Sequence, residues 1–331
     1  MTKVSIILCH HKGRELVLRS IKSIKAQKFI DPEIIVATSE ENTTFHGTTT
    51  LLVKGGPAHK RNVAFKFATS DYIAFFDDDI EATPTAVHEM LKALLQDKIG
   101  MVFGKLLNME HHNKFDEAGS YLTHSGFLWA RAESGCIDRG QFENQEYVLA
   151  GKSAACLIRR TVFSEIGMFD PSYEILAEET DLAWRVWLSG WRVLYVPSSV
   201  TYHAFNTRFK PKDFYVPRRV YYNGCRNYIT MLFTNLGTYR WIVPVLIQLS
   251  VWSTAGIGML ITGKFEAGIH IFKGIGYFFR NIRIIWDKRI KVQTKLRKVK
   301  DSDIMPMIMR NPPISYYLKR FCHYIYTGKH G

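Results

Sequence analysis

Apolar runs alternate with amphipathic stretches along the first two hundred residues. Val4–Cys9 reads as a buried strand. Arg14–Gln27 follows with Val17, Leu18, Ile21 and Ile24 on one side and Arg14, Arg19, Lys22 and Lys25 on the other, the pattern of a half-buried helix. Glu33–Ala37 predicts a second strand, Lys60–Ala68 a short helix and Tyr72–Phe76 a third strand. Thr83 is expected to cap a helix with Pro84 in its first turn, running through Val87, Met90, Leu91 and Leu94. Gly100–Phe103 predicts a fourth strand. Strand and helix in turn imply an α/β domain with a largely parallel sheet. Such sheets bind ligands beyond the carboxyl ends of their strands.

After about residue 205 the texture changes. Trp241–Gly263 carries no charge, Ala267–Phe279 is rich in glycine and aromatics, and Arg280–Lys300 is dense in Lys and Arg. The charge is split in the same place. Residues 1–204 hold 22 basic and 25 acidic side chains, whereas residues 205–331 hold 22 basic and 5 acidic. The second part therefore wants an anionic partner. With 47% hydrophobic residues among 331, disordered and fibrous classes are excluded. Five cysteines, Cys9, Cys136, Cys156, Cys225 and Cys322, form no CxxC pair or zinc spacing, and read as reduced thiols in a cytosolic setting. The opening apolar run is too short for a signal peptide, so the catalytic part is expected to face the cytoplasm.

Two acidic clusters carry the candidate chemistry. Asp77, Asp78 and Asp79 end the third strand, in IAFFDDDI. Three adjacent carboxylates repel one another, and Mg²⁺ or Mn²⁺ would offset that cost while leaving positions open for phosphate; a solvated acidic turn is the plainer reading. Glu178, Glu179 and Asp181 begin a helix in LAEETDLAWRVWLSGWRV, with Gly190 as its stop signal. The helix dipole alone favours acids there, but a carboxylate at the mouth of a site also serves as a general base. A metal-dependent phosphotransferase or nucleotidyltransferase would use the first cluster without needing the second. A non-enzymatic basic protein binding nucleic acid through residues 205–331 is a further alternative, opposed by the charge-free run, which suits lipid.

Five segments, taken in order, resemble the family 2 glycosyltransferases of the GT-A fold, close to their rhamnosyltransferase-like branch. They are VSIILCHHKGRELVLRSIKSI, GGPAHKRNVAFKFATSDYIAFFDDDI, LAGKSAACLIRRTVFSEIGMFDP, AEETDLAWRVWLSGWRVLYVPSSVTYH and YYNGCRNYI. The likeness covers roughly residues 2–230 and extends more loosely through the basic tail. It implies a Rossmann-like, mostly parallel sheet flanked by helices in residues 1–230, while the composition of residues 231–331 predicts a helical, membrane-associating region. It also implies inverting transfer from a nucleotide-sugar donor, UDP-, dTDP- or GDP-linked, to a hydroxyl of a glycan or lipid-linked acceptor. Nucleic acid is not among the partners implied.

By the same resemblance Asp77–Asp79 match a DXD-type motif, with Asp79 the direct metal ligand and Asp77 near the metal or ribose. Arg61 and Asn62 match an Arg-Asn pair lying along the nucleotide, and His203 a position that approaches the metal or diphosphate. The Glu-Asp pair, whose second acid is the base, falls on Glu178 and Glu179, so Glu179 is assigned the base, with Asp181 as its rival. One departure is plain. Thr38 stands where the family has an Asp that reads the nucleotide base, leaving Glu40, Glu41 or backbone groups to do so. The Gln-x-x-Arg-Arg-Trp signature of processive synthases is absent, which points to addition of a single sugar.

The charge-free run of 23 residues is long enough to span a bilayer, which needs about 20. Its polar residues and the basic sets on both flanks (Arg218, Arg219, Arg226 and Arg240 before; Lys264, Lys273, Arg280 and Arg283 after) argue against one crossing. Monotopic or re-entrant attachment to an anionic membrane surface, on its cytoplasmic face, is expected instead.

Overall fold

A computed structural model describes residues 1–11, 13–204 and 218–314. Twelve strands are described: β1 (Thr2–His10), β2 (Ile30–Thr38), β3 (Thr49–Leu52), β4 (Tyr72–Asp77), β5 (Ile80–Ala82), β6 (Ile99–Asn108), β7 (Phe115–Glu117), β8 (Ser120–Leu122), β9 (Leu128–Ala130), β10 (Glu146–Tyr147), β11 (Ala155–Arg159) and β12 (Arg192–His203). The helices among them are α1 (Arg14–Lys25), α2 (Pro57–Phe65), α3 (Ala86–Leu94), α4 (Arg160–Glu165) and α5 (Glu178–Leu188). The main sheet runs β3-β2-β1-β4-β11-β6-β12-β10, with β5 on β12 and β7 on β6. Parallel pairs join β3, β2, β1 and β4, and also β6 and β12. Between the two parallel blocks β11 runs antiparallel to both neighbours, so the sheet is mixed though mostly parallel.

Strand residues alternate between two cores, as the two-residue period requires. Val4, Ile6 and Leu8 face α1 and α3 with Val17, Ile21, Met90 and Leu91. Ile7, Phe75 and Phe103 face the other way, into a core shared with Trp184 and Trp187 of α5. Helix α3 starts two residues later than expected. The Thr83 hydroxyl and amide both donate to the Val200 carbonyl, at 2.9 and 3.1 Å, which ties Thr83 to β12 and moves the N-cap to Thr85.

Five further α-helices follow among the described residues: α6 (Asn223–Asn235), α7 (Ile242–Ile261), α8 (Phe265–Arg280), α9 (Ile282–Ile290) and α10 (Asp301–Ile308). Helix α6 is buried on nearly every side. Phe233, Ile271, Phe278, Ile285 and Ile304 join the core that holds Phe75 and Trp184, so these helices pack directly on the sheet layer. Cys9, Cys136, Cys156 and Cys225 are free thiols, and burial pushes Cys9 and Cys156 up to about 11 and 12. Cys322 lies outside the described residues.

Candidate active site

The parallel strands end at one edge of the sheet, and their register brings chemistry to it. Cys9 of β1 sits opposite Asp77 of β4, and His10 opposite Thr38. The chain turns through Asp78 and Asp79 into β5, where Ile80 pairs with His203 of β12, and the Ala204 amide donates to the Asp79 carbonyl at 2.9 Å. One carboxylate oxygen each from Asp77 and Asp79 and a ring nitrogen of His203 lie within 4.8 Å of one another. Asp78 turns away from this group and accepts from the His11 amide at 3.1 Å.

The His203 ring is fixed from behind. Its Nδ1 lies 2.8 Å from Oδ2 of Asp116 on β7, and its Nε2 is 3.3 Å from Asp79 and 3.9 Å from Asp77. Asp116 pairs in turn with Lys152 at 2.6 Å. Burial alone would lower the imidazole, but the Asp116 and Asp79 hydrogen bonds outweigh it and hold His203 at about 10. Two carboxylates and an imidazole whose other nitrogen is held by a third carboxylate are a donor set that fits a divalent cation. Asp116→Asn should therefore weaken cation affinity about 10–100-fold. Titrating activity with Mn²⁺ should show the loss restored at saturation; a lowered plateau with unchanged midpoint would contradict this.

The second acidic cluster faces the first across Arg61, which is almost wholly buried. Its Nη2 donates to Asp77 at 2.8 Å, its Nη1 is 3.9 Å from Glu178, and its guanidinium lies 5.2 Å over the Phe169 ring. Glu178 and Glu179 open α5 and hydrogen-bond to each other. Burial raises both, and the neighbouring Glu179 charge raises Glu178 further. Glu117 sits beside Glu179 and is pushed up to about 7, mainly by burial. Asp181 is spoken for elsewhere: it pairs with Arg185 at 2.8 Å and accepts from Asn235 at 2.9 Å. Asn62 is likewise committed, donating to the Phe169 carbonyl at 2.7 Å and accepting from its amide at 3.1 Å.

The turn before Glu178 is strained. Leu176 and Ala177 both have left-handed backbones, with φ of 70° and 68°. That conformation costs an L-residue roughly 1–2 kcal/mol. The Asn227 amide offsets the cost by donating to the carbonyls of Ile175 and Leu176 at 2.9 and 2.8 Å, and Arg226 donates to Ser172 at 2.7 Å. The Arg-Asn of YYNGCRNYI thus holds the turn that presents the acids. Where the nucleotide base is expected, the Thr38 hydroxyl lies 2.8 Å from His10 Nδ1 and accepts from the Glu40 amide at 3.0 Å. Glu40 reaches back to the Gly13 amide, whereas Glu41 pairs with Lys54 in solvent.

The family model described as "Glycosyltransferase like family 2" matches residues 2–219. The chain belongs to this family. Among curated relatives, the pre-mycofactocin glycosyltransferase of Mycobacterium tuberculosis is 25% identical over 170 residues, covering 51% of this chain and 34% of that protein. The chain thus spans about a third of that relative's length. Among solved structures, residues 1–349 of TarS from S. aureus align with a TM-score of 0.55 at 14% identity, covering 98% of this chain and 87% of that one. GalNAc-T7, solved with UDP, GalNAc and Mn²⁺, aligns with a TM-score of 0.54 at 15% identity, covering 70% of this chain and 48% of that one. The fold of this family 2 chain is GT-A.

Asp116 and Glu117 lie in none of the motif segments, and Lys152 and Asn227 lie in two of them without their roles being legible there. Asp116 and His203 are separated by 87 positions and share no spacing rule. Only the pairing of β7 with β6, next to β12, brings them together.

Proposed function

We propose that this chain is a metal-dependent, inverting glycosyltransferase that moves one sugar from a nucleotide-sugar donor to a hydroxyl of a glycan or lipid-linked acceptor. The observation that carries this is Arg61, whose single guanidinium reaches the Asp77 end of the metal-type cluster at 2.8 Å and Glu178 of the acid pair at 3.9 Å. Metal site and base are thereby within one side chain of each other. Asp77, Asp79 and His203 would hold the cation, and the nitrogen ligand suits Mn²⁺ better than Mg²⁺.

When bound, the cation stabilises the negative charge that grows on the diphosphate as the nucleotide leaves. The chain's own residues do the rest. Glu179 accepts the proton of the acceptor hydroxyl as its oxygen bonds to the anomeric carbon. The carbon–oxygen bond to the diphosphate breaks on the opposite face, so the configuration inverts and the nucleoside diphosphate departs. Glu178, raised well above the ordinary glutamate value by burial, hydrogen-bonds to Glu179 and keeps its oxygens oriented. Arg61 holds Oδ1 of Asp77 at 2.8 Å and leaves Oδ2 on the side of His203.

A UDP, dTDP or GDP donor fits equally, since Thr38 offers the base no carboxylate. Residues 1–230 are taken to do the chemistry. Residues 231–331 are taken to attach the enzyme peripherally to an anionic membrane on its cytoplasmic face, where a lipid-linked acceptor would lie. The test is a donor screen by mass spectrometry with NMR of the product. Addition of one sugar with inverted anomeric configuration is expected; a retained configuration, or transfer of a phosphoryl group, would overturn the reading.

A further inference from the structure

Large apolar side chains are unevenly exposed. Of the 23 exposed among the described residues, 15 fall between residues 239 and 290. Soluble surfaces rarely gather so many in one place. Helix α7 is 20 residues long and apolar enough to cross a bilayer. Yet one side of it is enzyme along its whole length. Val245, Gln248, Gly256 and Met259 are buried, and Gln248 donates to the Gly126 carbonyl at 3.3 Å. Its second half lies against α8 so closely that a Cβ on Gly268 would stand 2.7 Å from Leu260. The opposite side, with Val243, Leu246, Ile257 and Ile261, is exposed.

Helix α8 repeats this division. Ala267, Gly268, Ile271, Gly274 and Phe278 face inward, while Ile269, Phe272 and Phe279 line an outward groove together with Lys273 and Arg280. Trp286 is exposed on α9. Residues 236–300 carry twelve Lys and Arg against two acids. Resting on the peripheral attachment proposed for this enzyme, we propose that the outward faces of α7, α8 and α9 form one plate that lies flat in the interface of an anionic bilayer leaflet, and that α7 does not cross it.

The reasons are physical. A spanning α7 would have to leave the enzyme and carry Gln248, with its amide nitrogen parted from Gly126, into hydrocarbon. At 16 residues, α8 is too short to return across a core that needs about 20. A flat plate leaves the inner contacts intact, sinks its isoleucines and phenylalanines to the acyl boundary, and sets Lys273 and Arg280 against headgroup phosphates. A second copy is a poorer occupant, because two faces this basic repel one another.

The test uses the full-length chain and flotation with sealed vesicles. Flotation is expected with vesicles containing phosphatidylglycerol, and much less with phosphatidylcholine alone or in high salt. Phe272→Asp with Phe279→Asp should cut flotation by about tenfold or more while nucleotide-sugar hydrolysis is unchanged. An impermeant maleimide added outside should label both Tyr239→Cys and Thr262→Cys in vesicle-bound protein. Labelling of the first with protection of the second would show that α7 crosses and overturn the proposal. Absence of flotation, with a stable dimer or with capture of nucleic acid instead, would overturn it too. If flotation holds but no nucleotide sugar is turned over, the enzyme reading fails and the surface stands.

Discussion

Asp79→Ala should abolish sugar transfer, by at least about 10³-fold, while the protein stays folded. Asp79 supplies one of the carboxylate oxygens that converge with Asp77 and the ring nitrogen of His203. Two ligands remain in the variant, too few to keep a cation fixed against the donor diphosphate. The fold should tolerate the loss, because the Asp79 carbonyl, which the substitution leaves in place, is what accepts from Ala204 and pins β5 to β12. Asp116 continues to hold the His203 ring. Circular dichroism and thermal melting should be close to those of the parent. Retention of more than about a tenth of the activity would remove Asp79 from the role of ligand.

Glu179→Gln should lower the transfer rate by about 10²–10⁴ with little change in donor affinity. The amide keeps the shape and takes away the proton acceptor. The pH profile carries a second signature. Burial raises the Glu178–Glu179 pair above the ordinary glutamate value, and the base acts only when deprotonated. Activity should therefore fall as pH drops through that raised value, on an acid limb above about 4.3, and the Gln variant should lose the limb. Asp181→Asn should behave differently. It breaks a buried pair with Arg185, which would destabilise the fold by about 3–5 kcal/mol, so its defect should appear in the melting temperature first. Should Asp181→Asn melt normally and be inactive while Glu179→Gln keeps its activity, the base lies two positions further on.

The parts of the molecule legible in the sequence are those with local causes. β1, β2, β4 and β6 are apolar runs because both faces of each are buried, and α1 is an amphipathic repeat because it buries only one. The direction of β11 has no local cause: it follows from where the chain re-enters the sheet, between β4 and β6. The start of α3 depends on β12, more than a hundred residues away, through the Thr83–Val200 hydrogen bonds.

The site divides the same way. Asp77, Asp79, Glu178 and Glu179 stand out because acids crowded at the end of a strand or the start of a helix need a reason. Asp116 and Glu117 are a pair of acids in a loop-like stretch, and only tertiary pairing gives Asp116 its His203. Family resemblance places Asn62 along the nucleotide, while the structure has both ends of its amide bonded to Phe169. Asn227 sits in a motif that is visible in the sequence, but what it holds, the strained Leu176–Ala177 turn, is visible only in space.

The central claim is that a cation held by Asp77, Asp79 and His203 is required for turnover of a nucleotide sugar. It is tested most directly by following release of nucleoside diphosphate from UDP-, dTDP- and GDP-sugars by the full-length protein, first in EDTA and then with Mn²⁺ or Mg²⁺ restored. Release from one donor that vanishes in chelator and returns with the cation is the predicted result. Undiminished release in EDTA, or none from any donor with the cation present, would contradict it.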